Sequence, residues 1–204
     1  MASEVTVEAT VVRDTQPRET DGRAGSGMVI EQELASSAPS IGHVFASVIE
    51  RSRDFGVLIA ASPVTIATTV VRDTMSTESG RPFGDGVAVF GVPATERISV
   101  SSSRIERSAR AGLSNFGSIV SLRDVHIACA AVRLDGEPFV EWLHVFEDGG
   151  GNACGCPIAD GACKADAVLL WRTRRSRPRQ GSFRSLRLFA IVRGLRRRQR
   201  EPCG

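Results

Sequence analysis

Residues 2–15 read ASEVTVEATVVRDT and residues 61–74 read ASPVTIATTVVRDT, identical at 10 of 14 positions. A chain that repeats itself this closely, 59 residues apart, has few folds open to it, because each copy must find the same surroundings. A weaker echo lies between the copies. Ile49-Glu50-Arg51-Ser52 returns 56 residues later as Ile105-Glu106-Arg107-Ser108. Val12-Arg13-Asp14-Thr15 and Val71-Arg72-Asp73-Thr74 share the same plan: one apolar residue, two opposite charges, one hydroxyl. Ile127-Ala128-Cys129-Ala130 is a degenerate fifth copy, and the five tetrads are spaced by 37, 22, 34 and 22 residues.

A glycine follows each good tetrad and opens a second apolar segment, at Gly27, Gly56, Gly86 and Gly112. The gap from hydroxyl to glycine is 12, 4, 12 and 4 residues, so long and short copies alternate. The long gaps hold polar, glycine-containing stretches that read as surface loops. Val5–Val11 and Val64–Val70 alternate with period two and are rich in β-branched residues, the pattern of half-buried strands. Stacking the copies gives two apolar columns: Val7, Val44, Ile66, Val100, Leu122, and Val12, Ile49, Val71, Ile105, Ile127. A unit of 22 residues is too short for a propeller blade, and the leucine-rich pattern is absent. The expectation is an all-β chain, a solenoid of about five coils stacked around a continuous core.

Charge divides the chain. From Arg172 onward there are 12 arginines and one acid, Glu201, a net of +11, whereas the preceding 171 residues carry 14 basic and 22 acidic side chains. The basic tail reads as disordered or weakly helical. Three segments follow: coils over 1–130, a closing segment over 131–167 and the Arg-rich tail over 168–204. No apolar run reaches the length of about 18 residues that a transmembrane helix needs. The first residues, Met1-Ala2-Ser3-Glu4-Val5, lack the basic and apolar regions of a secretory signal and begin directly as strand.

VTVEATVVRDT, the glycine-led apolar triplets, VIERS and FGVLIAAS together resemble a family of exported bacterial repeat proteins that form right-handed parallel β-helices of the pectate-lyase-like superfold. The resemblance covers about residues 2–163. It implies a right-handed parallel β-helix, an extracellular or cell-surface location and a longer parent protein, of which this chain is similar to the C-terminal end. Phe146–Pro157 resembles the family's closing segment, so residues 131–167 are expected to cap the stack, with Trp142 and Phe146 over the last coil.

Cys129, Cys154, Cys156 and Cys163 fall within 35 residues. In an exported protein an even set reads as two disulfides, with three possible connectivities. A zinc site built from the four thiolates is the alternative, although C-x-C-x6-C lacks the usual knuckle spacing. His43, His126 and His144 lie in no ligand spacing, and His126 holds the strand position that Val11, Val48 and Val70 hold elsewhere. Gly84-Asp85-Gly86 looks like a phosphate loop but opens a strand rather than a helix. No motif calls for a cofactor.

Lyases and hydrolases of the superfold that the chain resembles use clustered acids, and Asp14, Glu50, Asp73 and Glu106 with Arg51 and Arg72 could lie on one flank. All of them recur in register with the repeat, whereas a catalytic site occurs once. The basic tail lacks the fold motifs of specific nucleic-acid binding. The expected function is a non-catalytic scaffold or binding module at the cell surface, with polysaccharide or other surface components as partners; a polysaccharide lyase or glycoside hydrolase is the alternative. Self-association through the exposed first coil is also expected. The charged pairs give the sharpest expectation. One column reads Arg13, Glu50, Arg72, Glu106 and the other Asp14, Arg51, Asp73, Arg107, alternating in sign at every step. Strands stack at about 4.8 Å, so these eight residues should form an ion-pair lattice that sets coil order.

Overall fold

The computed structural model describes residues 3–20, 24–32, 40–77, 83–91, 97–140, 142–156 and 161–166; the Arg-rich tail lies outside them. Among the described residues eighteen strands build three parallel sheets of six. The first sheet contains β1 (Glu4–Glu8), β4 (Ile41–Phe45), β7 (Val64–Ala67), β10 (Ile98–Ser101), β13 (Ile119–Arg123) and β16 (Val145–Asp148). The second contains β2 (Val11–Arg13), β5 (Val48–Glu50), β8 (Val70–Arg72), β11 (Arg104–Glu106), β14 (His126–Ala128) and β17 (Ala153–Gly155). The third contains β3 (Met28–Glu31), β6 (Phe55–Ala60), β9 (Asp85–Phe90), β12 (Ala111–Phe116), β15 (Val132–Glu137) and β18 (Ala165–Asp166). Each sheet takes one strand from each turn of the chain, the arrangement of a parallel β-helix. Among the described residues no helix is long and apolar enough to cross a membrane.

The register follows the repeat. Val12, Ile49, Val71, Ile105 and Ile127 pair in succession across the second sheet. Val7, Val44, Ile66, Val100 and Leu122 do so across the first. Both columns, with Val57, Ile59, Val87, Val89, Leu113 and Leu134 of the third sheet, enclose the core. The stack continues past residue 130. β15 completes the fifth rung, and β16, β17 and β18 make a sixth, with Cys154 taking the next place in the Val12 column. The sequence hides this rung because two of the residues it sets against the core, Cys154 and Cys163, do not read as a strand core. Phe146 packs against the core from β16, whereas Trp142 lies in the β15–β16 connection beside Phe139 and Gly91.

Two tight corners recur in each of the first five rungs, and each depends on a residue at positive φ. The first corner is Ala9, Ala46, Thr68, Ser102 and Asp124, with φ of 45–53°. The second is Asp14, Arg51, Asp73, Arg107 and Cys129, with φ of 51–58°. Non-glycine residues pay about 1 kcal/mol or more to enter this region, so something must hold them there. A hydroxyl ladder holds the first corner. The hydroxyls of Ser47, Thr69 and Ser103 donate to the carbonyls of Phe45, Ala67 and Ser101, two residues back. The same oxygens accept from the backbone N–H of Thr10, Ser47 and Thr69 in the preceding rung. Each hydroxyl thus closes its own turn and fastens the one before it. Val125 breaks the ladder, and the Asn152 side chain accepts from its N–H instead.

At the second corner the hydroxyls of Ser52, Thr74 and Ser108 face inward over Gly27, Gly56 and Gly86. A Cβ on Gly56 would stand 2.5 Å from the Gly86 carbonyl oxygen and against Val71 and the Thr74 hydroxyl. This close approach is why a glycine follows every good tetrad. Gly56→Ala is expected to destabilise the fold by about 1–3 kcal/mol through overpacking, read as a lower thermal midpoint with unchanged β-sheet circular dichroism.

Candidate functional site

The charged tetrads converge on the edge of the second sheet. Arg13, Glu50, Arg72 and Glu106 occupy paired positions on successive strands. Arg51 grips Asp14 of the preceding rung through two hydrogen bonds, Nε–Oδ1 at 2.6 Å and Nη2–Oδ2 at 2.9 Å. Arg107 holds Asp73 the same way, at 2.6 and 3.0 Å. Arg72 reaches Glu50 at 2.6 Å. Within a rung Arg51 meets Glu50 at 2.6 Å, Arg72 meets Asp73 at 4.0 Å and Arg107 meets Glu106 at 3.1 Å.

These contacts make a zigzag rather than two straight columns. Arg51, Arg72 and Arg107 each reach back to the acid one rung earlier, and among the described residues Arg13–Glu50, Arg51–Asp73 and Arg72–Glu106 form no ion pair. The second-corner residues sit at positive φ, which turns their side chains off the strand line and within reach of both neighbours. Arg104 extends the chain of charges to Glu106 at 2.9 Å; its place in the strand, two residues before Glu106, put it outside the lattice that the tetrads define. Hydrogen bonds from Arg51 lower the Asp14 pKa, those from Arg72 and then Arg51 lower Glu50, and those from Arg107 lower Asp73.

The cysteines of the fifth and sixth rungs are paired. Cys129 bonds Cys156 and Cys154 bonds Cys163, with Cα separations of 4.7 and 5.0 Å. The first clips the degenerate fifth tetrad to the rung above. The second ties β17 to the segment that leads into β18. Closing loops of this size stabilises a fold by about 2–4 kcal/mol, useful in a rung whose own strands are short. Among the described residues no group of three or more His, Cys, Asp or Glu is arranged to hold a metal ion.

A second charge cluster does not repeat. Arg110 sits just before β12 and bridges two carboxylates of neighbouring rungs, Asp85 of β9 and Asp135 of β15. Its Nε donates to Asp85 at 2.6 Å and its Nη1 to Asp135 at 2.5 Å. Ser114 accepts from Arg110 at 2.8 Å and donates to Asp85 at 3.0 Å. Both carboxylate side chains are 0% exposed and the Arg110 side chain 11%. Burial pushes the Asp85 carboxyl upward despite Arg110. Desolvation works against the Arg110 charge as well, but its two carboxylates outweigh it and its pKa is raised. The cluster lies on the outer face of the third sheet beside a ring stack of Phe90 and Phe116, with centroids 4.4 Å apart. A signal for it exists in the repeat register. Asp135 pairs with Ser114, which pairs with Ala88, so one outward column turns from apolar to charged.

His43 lies on the first sheet 3.4 Å from Glu4. His126 lines an open recess of about 360 Å³ with Ser102, Ser103, Arg104 and Asp124. His144 packs its ring over Gly136. The structure does not bring the three histidines together. No family model matches this chain, and no curated protein or solved structure matches it.

Three outcomes follow. Arg72→Glu is expected to lower stability more than Arg72→Ala, because it sets an acid against Glu50 and beside Asp73; the difference should shrink in high salt. Since Asp14, Glu50 and Asp73 are depressed in the folded state, their contribution is present above the unfolded carboxylate values near pH 4 and lost as pH falls through the folded ones. Thermal melts at low and high salt check the first statement, and melts at neutral and acid pH the second. Arg110→Met leaves two buried carboxylates without their shared cation and is expected to cost about 3–5 kcal/mol, measured by chemical denaturation.

Proposed function

We propose that this chain is a non-catalytic β-helix scaffold and binding module that works outside the cell or at its surface and takes extended glycans along the stack. The observation that carries this reading is the outer face of the first sheet. Thr6, His43, Thr65, Ser99, Ser121 and Glu147 pair in one outward column. Ser99 meets Thr65 at 3.3 Å, and Ser121 donates to Glu147, which Arg97 holds at 2.7 Å. His43 of this column stacks on Phe45 with centroids 5.9 Å apart. A row of hydroxyls repeating at about 4.8 Å, next to a ring face, suits a polymer of hydroxylated rings. Two disulfides fit an oxidising compartment.

The lyase or hydrolase reading draws less support. The flank acids Asp14, Glu50, Asp73 and Glu106 are all engaged by arginines. The acids of the non-repeating Arg110 cluster, Asp85 and Asp135, are buried. Affinity electrophoresis in gels containing neutral polysaccharides tests the proposal. Retardation is expected, with Thr65→Arg plus Ser99→Arg abolishing it; release of reducing or unsaturated ends would favour the enzyme. No retardation in any gel would overturn the glycan reading.

Self-association belongs to the same proposal. Among the described residues β1, β2 and β3 each pair on one side only, and Val5, Val11 and Val29 are 50%, 59% and 49% exposed. Unpaired apolar edges template further strands. Light scattering is expected to show oligomers that grow with concentration, and a monodisperse monomer would contradict it.

A further inference from the structure

The repeat register shows where the chain departs from its own pattern, and three departures meet at one place. The outward column at the start of the second sheet runs Val11, Val48, Val70 and then Arg104, His126. The first corner runs Ala9, Ala46, Thr68, Ser102 and then Asp124. The hydroxyl ladder behind it stops at Val125. Arg104, His126, Ser102 and Asp124, with Ser103, line the open recess of about 360 Å³. Replacing valine by arginine and histidine on adjacent strands adds nothing to the core, since this column faces outward. It does place two N–H donors one strand spacing, about 4.8 Å, apart. Glu106 holds Arg104 from one side through Nε at 2.9 Å, which orients the guanidinium without covering the recess.

We infer that the recess binds a small hydroxylated oxyanion, a phosphate or sulfate ester of a sugar. Arg104 and His126 take the ester oxygens from adjacent strands, a charge-assisted contact that a guanidinium makes well. The exposed hydroxyl of Ser102 adds a third donor. Asp124 sets the other half of the ligand. A carboxylate beside an anion site repels a bare anion but accepts from hydroxyls, so the group bound must carry both. This site lies on the second sheet and does not depend on the glycan face of the first.

Calorimetry on the full chain decides it, with glucose 6-phosphate, glucose 6-sulfate, inorganic phosphate and glucose as probes. The substitutions are the residues that the repeat itself uses in these columns, so the fold should tolerate them: Arg104→Val with His126→Val, and separately Asp124→Ala. The wild type is expected to bind one or both esters saturably and glucose or inorganic phosphate more weakly. Binding of only one ester assigns the tetrahedral group. The double variant is expected to lose about tenfold or more in ester affinity, the scale of a lost charge-assisted contact, with its thermal midpoint maintained. Asp124→Ala is expected to narrow the preference for ester over inorganic phosphate. Absence of saturable ester binding, equal binding of glucose, or unchanged affinity in a folded double variant would overturn the inference.

Discussion

Every rung of this protein is held by hydrogen bonds to its own counterpart one turn away. In a parallel stack a residue's lateral neighbour is the equivalent residue of the next coil, so whatever a position contains is multiplied into a column. Aliphatic residues become the core through Ile49, Val71, Ile105 and Ile127. Hydroxyls become a ladder through Ser47, Thr69 and Ser103. Charges of one sign would become a line of repulsion, and the alternation of Arg-Asp with Glu-Arg avoids it.

The same constraint explains where strain is tolerated. The corners need positive φ at alanine, threonine, serine and arginine, residues that do not favour it. Each corner is fixed by bonds to the rungs on either side, so the local cost is carried by the array. Where the array weakens, other bonds replace it. Val125 has no hydroxyl to offer and Asn152 accepts its N–H; the fifth corner has cysteine in place of a charge and a disulfide follows. The arginines also lock direction, since Arg51, Arg72 and Arg107 all reach toward the preceding rung.

Against so regular a background, exceptions carry information. Arg110 with Asp85 and Asp135 is one, and its burial makes it a brace between the third, fourth and fifth rungs on the outer face of the third sheet. Arg104 and His126 are another, and they line an open recess. The first is buried and the second exposed, a difference that residue types alone do not give.

The two apolar columns, the long-and-short alternation, the turn glycines and the opposed charges were all legible in the sequence, because strict repetition converts spacing directly into strand pairing. Four cysteines in one short stretch limited the disulfides to three pairings without choosing among them. The choice of Cys129 with Cys156 and Cys154 with Cys163 came from the sixth rung, whose last two strands are short, made mostly of small residues and carry no periodic signal. Tertiary structure likewise decided that the ion pairs zigzag, since corner dihedrals aim the side chains. It alone joined Arg110 to Asp85 and Asp135, each 25 residues away in sequence and adjacent only because successive rungs stack. Repetition fixes what sits above what; the bend of the chain between strands fixes which side chains meet.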